Sequence, residues 1–399
     1  MARFGVGRAT VREAVRALEA RGIARMARGP AGGLRITLES SEIARATLTT
    51  HLELLGVPLL DIYETRTALG ELVVELAARR IDAPTIVRLR DAARALAAAP
   101  RSLRDYTIER ARITDIMLHA AASPVVRVLA PALDRAVLAH IPVDALRMDD
   151  HAESVALIRS DEQRVVEAIV AQDIASARTL FSRWREREGA ILASNIRRGH
   201  VSARLPVFID GGHEKAAMRC VRGIAADIVA KAMNPGEWLC RQDDILRRFG
   251  VSLAIAREAI RLLESHGIVV VRQGKGGGIR VGEFRSVGTV HGIAAAMPDD
   301  LSPDDRIGVR QTMLGFAAVA AASRSAVVDP DGTRLAQAIG RASGNAASEI
   351  IIGILDAMNP EPPHGSPEVD QRLCEAIAAG DQGLARRYAL EHVRLCAGA

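Results

Sequence analysis

FGVSLAIAREAIRLLESHGIVVVRQGKGGGIRV, residues Phe249 to Val281, is the stretch that decides the fold. Ala256, Ala259, Ile260 and Leu263 fall at i, i+3, i+4 and i+7, the apolar stripe of a helix, while Arg257, Arg261 and Glu264 lie on the other face. Ser252 stands where a side chain caps the helix start, and Gly267 where the chain leaves it. Ile268 to Val271 is a β-branched apolar run. The glycines between Gly274 and Gly278 permit a tight reversal, and Ile279-Arg280-Val281 returns as the partner strand. The stretch predicts a short helix-turn, a basic recognition helix and a two-stranded wing.

The same pattern stands at the N-terminus, from Phe4 to Thr37, as FGVGRATVREAVRALEARGIARMARGPAGGLRIT. Arg12 corresponds to Arg257, and 257 minus 12 sets an offset of 245. Solenoid periods end near about 50 residues, so a repeat at this distance signals duplication of a whole unit. Through the offset Met1 falls opposite Leu246, whereas the second copy has a full lead-in from about Ala217. There Val221, Ile224 and Ile228 form a helical stripe, Pro235-Gly236 makes a turn, and Gln242 to Phe249 reads as a short helix. Either the true start lies upstream, or the first reader is incomplete and folds by borrowing a packing partner.

With 399 residues the chain has material for two to four domains. The net charge of +5 is modest, but Arg3, Arg8, Arg12, Arg16, Arg21, Arg25, Arg28 and Arg35 crowd one short segment. The lysines are only Lys215, Lys231 and Lys275, so the bases are nearly all arginine, suited to bidentate phosphate and guanine contacts. Outside the two readers the arginines equally fit a general Ala- and Arg-rich composition. Cys220, Cys240, Cys374 and Cys396 have no CxxC spacing and no clustered histidines, so neither a zinc knuckle nor a disulfide framework is indicated. No secretory signal and no apolar run of about 18 residues stands out, so the expected compartment is cytoplasmic.

The expected class is mainly α, with two winged helix-turn-helix domains alternating with two all-helical bundles. Residues 1–40 hold the truncated reader, 41–195 a helical bundle, 196–215 a linker, 216–283 the complete reader and 284–399 a shortened bundle. In the first bundle LLDIYETRTALGELVVELAARR (Leu59 to Arg80) is the clearest helix. Further runs are Thr85 to Ala99, Leu103 to Ala122, Val125 to Ala139, Glu153 to Gln172 and Ile174 to Leu192. VRQTMLGFAAVAAASR answers the first of these with Arg310 at offset 244 from Arg66, and EAIAAGD answers EAIVAQD at offset 208. The second bundle has therefore lost 244 minus 208, or 36, residues.

VGRATVREAVRALEARGI and VSLAIAREAIRLLESHGI resemble the winged helix-turn-helix of GntR-family bacterial transcription regulators. LLDIYETRTALGELVVELAARR, DIMLH and VVEAIVAQDIASAR resemble the helical effector domain of the FadR (FCD) branch. The resemblance implies dimeric operator binding, controlled by a small carboxylate bound in the bundle. It places DNA contacts at Arg8, Thr10, Arg12 and Arg16 in the first reader, and at Ser252, Arg257, Arg261, Arg272, Lys275 and Arg280 in the second. The residue chemistry agrees: a recognition helix with exposed arginines enters a major groove, and a basic wing lies along phosphates. The copies depart from the family's Ser-Arg helix start in different ways. The first has Gly7-Arg8 and loses the cap; the second has Ser252-Leu253 and loses the base-reading arginine.

Many members of the branch hold a metal, zinc or a similar divalent ion, with an Asp and a His one turn apart plus two later His. Asp115 and His119 match the first pair, and their i, i+4 spacing sets both on one helix face. Glu162 and Trp184 stand at the third and fourth positions, and in the second bundle Asp370 and His392 do. Either Asp115, His119 and Glu162 form a degenerate cation site completed by water or a ligand carboxylate, or His119 is an ordinary histidine paired with Asp115. Arg66 and Arg310, mid-helix on apolar faces, either anchor an anionic effector or pair with acids such as Glu71.

The expected function is a DNA-binding transcription regulator, a repressor, whose bundles sense a small carboxylate metabolite. Its partners are a double-stranded operator, a small-molecule effector and a second copy or an intramolecular pseudo-dimer, with no membrane. The alternative is a ligand-binding or heterodimerising partner whose own DNA reading is impaired. No nucleophile-base pairing, phosphate loop or complete metal set points to an enzyme.

Overall fold

The computed structural model describes residues 15, 24–27, 33–36, 40–98, 103–138, 152–201, 203, 216–231, 233–234, 236–265, 268–272, 277–282, 287–297, 301–329, 334–358 and 366–397. Of the first reader this includes one hairpin, β1 (Ala24–Ala27) and β2 (Gly33–Ile36). Then come α1 (Ser40–Leu54), α2 (Leu59–Arg80), α3 (Ala83–Ala97), α4 (Leu103–Ala121), α5 (Pro124–Leu138), α6 (Ala152–Val170) and α7 (Ile174–Arg197). Local chemistry sets their starts. Asp82 accepts from the Thr85 N–H at the head of α3, and Asp173 from the Ser176 N–H at the head of α7. Each satisfies a donor that a helix N-terminus leaves orphaned. Pro84 and Pro124 occupy the first turns of α3 and α5, where a missing N–H is tolerated.

The complete reader consists of α8 (Ala216–Ala230), β3 (Trp238–Cys240), α9 (Gln242–Phe249), α10 (Leu253–Ser265), β4 (Val269–Arg272) and β5 (Gly278–Val281). Its sheet has the order β3-β5-β4, all antiparallel, so the expected two-stranded wing gains a third strand. The expected stripe is the core: Ala256, Ala259, Ile260 and Leu263 bury against Val221, Ile224 and Ile228 of α8 and Ile279 of β5. At Gly223 a Cβ would come within 2.5 Å of the Phe249 ring, so only glycine lets α8 and α9 meet this closely. Gly250, at φ 62°, ends α9 in the left-handed conformation that favours glycine.

The β1–β2 and β4–β5 hairpins share one register. Ala24 pairs with Ile36 and Ala27 with Gly33, while Val269 pairs with Val281 and Arg272 with Gly278, each residue 245 positions on.

The C-terminal region folds as α11 (Val287–Ala295), α12 (Pro303–Ala322), α13 (Leu335–Ala342), α14 (Ala346–Ala357), α15 (Pro367–Ala378) and α16 (Gln382–Cys396). The sequence reading treats it as a bundle of its own. The structure instead joins it to the first region in one continuous apolar cluster, from Leu48 and Leu69 through Met313 and Ile351 to Val393. Helix α2 packs on α12, its counterpart at offset 244, and also on α14, while α11 packs on α1. Polar clasps lock the junction: the Ala346 N–H donates to Asp61 Oδ2 at 2.8 Å, Thr65 Oγ1 to Asn345 Oδ1 at 3.0 Å, and Arg80 pairs with Asp305 at 3.3 Å. Helical periodicity shows that a face is apolar but not which helix covers it. Among the described residues no helix is long and apolar enough to cross a membrane.

Candidate functional site

On the reader, Arg257 and Arg261 project from α10 into solvent, one turn apart, on the face opposite the buried stripe. Ser252 Oγ accepts the Ile255 N–H at 3.5 Å, a long cap, and Leu253 beside it is 42% exposed. Arg272 stands exposed at the end of β4. Arg280 is committed to the fold, donating from Nη1 to the Gly236 carbonyl at 2.9 Å. Glu264 accepts from the Val271 N–H at 3.0 Å and so ties the recognition helix to the wing. Arg248 is paired with Asp227 of α8, and its hydrogen bond holds that carboxyl below the usual range. Among the described residues, the outer face of α10 and the tip of β4 thus present Arg257, Arg261 and Arg272 to solvent, while Arg219, Lys231 and Arg241 are exposed elsewhere on the reader. Arg8, Thr10, Arg12, Arg16 and Lys275 lie outside the described residues.

Inside the first bundle lies a small cavity of about 40 Å³, lined by Arg66, Gly70, Asp134, Phe181, Trp184 and Arg185 among others. Arg66 of α2 pairs with Asp134 of α5, not with Glu71, which accepts from Ser182. Arg185 of α7 donates to Glu188 at 2.5 Å, lies 4.4 Å over the Tyr63 ring, and reaches Thr67 at 3.3 Å. Arg110 of α4 also pairs with Glu188 and sits 5.0 Å over the Trp184 ring. Three guanidiniums therefore share two carboxylates. Burial, then Arg185 and Arg110, draw the Arg66 pKa well below its ordinary value. Burial alone would raise the Glu188 carboxyl, yet Arg110, Arg185 and Arg66 hold it well below the carboxylate range. Two buried donors, Arg185 Nη2 and Trp184 Nε1, have no hydrogen-bond partner. Such groups call for an acceptor.

Sequence reasoning finds Arg66 here but misses Arg110, Arg185 and Glu188. The signal for Arg185 is its spacing, since Ala177, Phe181, Trp184 and Arg185 at i, i+4, i+7 and i+8 share the buried face of α7. A pH prediction follows from Glu188. A carboxyl with a depressed folded-state pKa stabilises in full above its unfolded value, about 4.3 for Glu, and that contribution is lost as pH falls through the folded value. Glu188→Gln should destabilise the chain near neutral pH and flatten its loss of stability below about pH 4. Urea unfolding across this range tests it; an unchanged acid limb would count against the three-arginine cage.

The second half repeats the ion pair without the cavity. Arg310 Nη2 bonds Asp356 Oδ1 at 3.1 Å, and these residues stand 244 and 222 positions after Arg66 and Asp134. The space beside them is only about 10 Å³, with Leu314 where α2 has Gly70 and Val393 where α7 has Arg185. At Gly70 a Cβ would come within 2.4 Å of Phe181, so glycine there sets the close approach of α2 and α7.

The metal expectation is not assembled. Asp115 and His119 share a face of α4, but both are exposed, whereas Glu162 is 1% exposed. Burial nevertheless raises the Asp115 carboxyl, opposed by Arg45. His392 is engaged at both ring nitrogens, by Asp370 Oδ1 at 2.5 Å and Cys396 Sγ at 3.4 Å. Among the described residues no three His, Cys, Asp or Glu side chains stand together as a cation requires. The residues present do not fit the group.

The family described as bacterial regulatory proteins, gntR family, matches residues 218–279, which run from α8 to β5. The FCD domain matches residues 61–186, a span that holds every lining residue of the arginine cavity. No curated protein matches the chain. The matched order is FCD and then gntR, the reverse of the reader-before-bundle order expected from the sequence, which rests on segments outside both matches. The chain carries an FCD domain and a gntR-type helix-turn-helix domain, and this pairing supports a GntR/FCD regulator.

Proposed function

We propose that the chain is a transcription repressor, not an enzyme, that grips an operator through α10 and β4 and senses a small carboxylate in the arginine cavity. The observation that carries this reading is the pair of buried, unpartnered donors, Arg185 Nη2 and Trp184 Nε1, in a cluster with one guanidinium in excess. A carboxylate supplies the missing acceptors and balances that charge. About 40 Å³ holds roughly three waters, so the ligand enters by displacing Phe181 and Trp184 and pushing α7 off α2. Helix α7 runs on to Arg197, and α1 of the same bundle touches α8 of the reader, the contact through which a shift of the bundle would act on the DNA-binding unit.

The chain is further proposed to be an internal duplication that folds as its own pseudo-dimer. The shared hairpin register, the repeated Arg–Asp pair and the packing of α2 on α12 support it. The offset falls from 244 at Arg66/Arg310 to 222 at Asp134/Asp356, and to 208 at the capping pair Asp173/Asp381. The first step removes the counterparts of α3 and of the first half of α4, and the second is spread over the end of α5, the connection after it and the start of α6. Gel shifts on DNA from around the chain's own gene, with and without a panel of small carboxylates, test the function. Binding that a carboxylate releases is expected; no DNA binding at moderate salt would favour the DNA-impaired alternative, to which exposed Leu253 at the head of α10 points.

Filling the cavity should mimic the ligand. Gly70→Leu copies Leu314 of the second half and, with even its Cβ within 2.4 Å of Phe181, forces α7 off α2 as the carboxylate would, so it is expected to weaken operator binding and to abolish any further release by carboxylate. Release that persists in this variant would place the effector elsewhere.

A further inference from the structure

The head of the recognition helix carries an apolar side chain that the core of the reader does not take up. Leu253, the first residue of α10, is 42% exposed, and Ala254 beside it is exposed as well. The other apolar residues of the helix behave differently: Ala256, Ala259, Ile260 and Leu263 are buried, and Ile255 and Leu262 pack against them. A single exposed leucine is ordinary on a protein surface; this one is set apart by its position.

Leu253, Arg257 and Arg261 fall at i, i+4 and i+8, one row along the exposed side of α10. In a helix-turn-helix unit the recognition helix lies in the major groove, and its first residues meet the base edges. With Arg257 and Arg261 behind it, Leu253 is the large side chain at the end of α10 that reaches the bases. It has no hydrogen-bonding group. Against guanine, adenine or cytosine it would cover N7, O6, N6 or N4 and strip their water without replacing the lost hydrogen bonds. Thymine alone presents an apolar group in the major groove, its C5-methyl.

We propose that Leu253 is a base-reading residue that packs on the C5-methyl of one thymine and so selects an A·T pair opposite the head of α10. The proposal rests on the reading of α10 as the helix that grips the operator. It gives Leu253 a positive part in base choice, whereas mere loss of a base-reading arginine would leave no preference at that pair.

Selection from a pool of randomised DNA duplexes by the full chain, and by its Leu253→Arg variant, tests this. Wild-type sites are expected to hold T at one position where the sites chosen by Leu253→Arg hold G, because arginine bonds guanine O6 and N7 together. In a selected duplex, exchanging that T for uracil removes only the methyl. Wild-type affinity should then fall about fourfold, the worth of one buried methyl group, while Leu253→Ala should bind the two duplexes equally. The salt dependence of Leu253→Ala should match that of wild type, since Leu253 neutralises no phosphate. Both substitutions alter an exposed side chain, and thermal unfolding checks that each variant is folded. Identical sites chosen by wild type and Leu253→Arg, or a wild-type affinity indifferent to uracil, would overturn the proposal and leave DNA binding by α10 standing. No binding of any duplex by wild type would overturn both, so the two failures are told apart.

Discussion

Asp356→Ala is expected to lower the unfolding free energy by about 3–5 kcal/mol, the cost of stranding a buried charge without its counter-ion. The side chains of Arg310 and Asp356 are 9% and 2% exposed at a separation of 3.1 Å, so water screens neither. An exposed pair would contribute only about 0–1 kcal/mol. Burial pushes the Asp356 carboxyl above its ordinary range despite Arg310 and Arg334 nearby, which means that pairing does not fully offset desolvation. Removing both charges should therefore cost far less than removing one. Arg310→Met combined with Asp356→Leu is expected to recover most of the loss, with a coupling of roughly 2 kcal/mol or more in a double-mutant cycle. Urea unfolding near neutral pH measures all four corners. A single-variant loss under about 1 kcal/mol would mean that water reaches the pair.

The second large effect concerns DNA. Arg257→Ala with Arg261→Ala should cut operator affinity about a hundredfold, from roughly 1.4 kcal/mol for each lost contact. Both side chains are exposed on the outer face of α10, and the core that holds the helix, Ala256, Ala259, Ile260 and Leu263, is untouched by the change. Folding should be preserved, which thermal unfolding checks. The dependence of log affinity on log salt should flatten by about two, one for each phosphate no longer neutralised. Arg280→Ala should behave differently: its guanidinium holds the Gly236 carbonyl, so the loss appears first in the stability of the reader. If the double variant binds with unchanged affinity and salt slope, α10 does not face the DNA.

Element limits were legible where their causes are local and periodic. Leu59 to Arg80 and Gln242 to Phe249 match the sequence reading to the residue, whereas α7 runs five residues past the expected Leu192, α1, α11, α13 and α14 had no expectation, and the caps at Asp82, Asp173 and Asp381, single side chains acting three positions on, went unread. The rest of what escaped depends on contacts distant in sequence. Strand β3 is three residues long and owes its existence to β5, some forty positions later, so no alternation marked it. The partner of Arg66 could not be chosen because Glu71 is near in sequence and Asp134 near in space. The basic face of the reader followed from periodicity. The arginine cavity did not, since Arg110, Arg185 and Glu188 come from two helices whose facing sides only the packing reveals. The fusion of two expected bundles into one body has the same origin.

That fusion changes how the chain responds to dilution. When regulator subunits associate from solution, the fraction assembled, and with it the apparent stability, follows total protein by mass action. Here the surfaces that pack α2 on α12 belong to one polypeptide, so their effective concentration is fixed by the connecting segment and does not fall as copies become scarce. A cell holding only a few molecules would still have the helical body fully assembled.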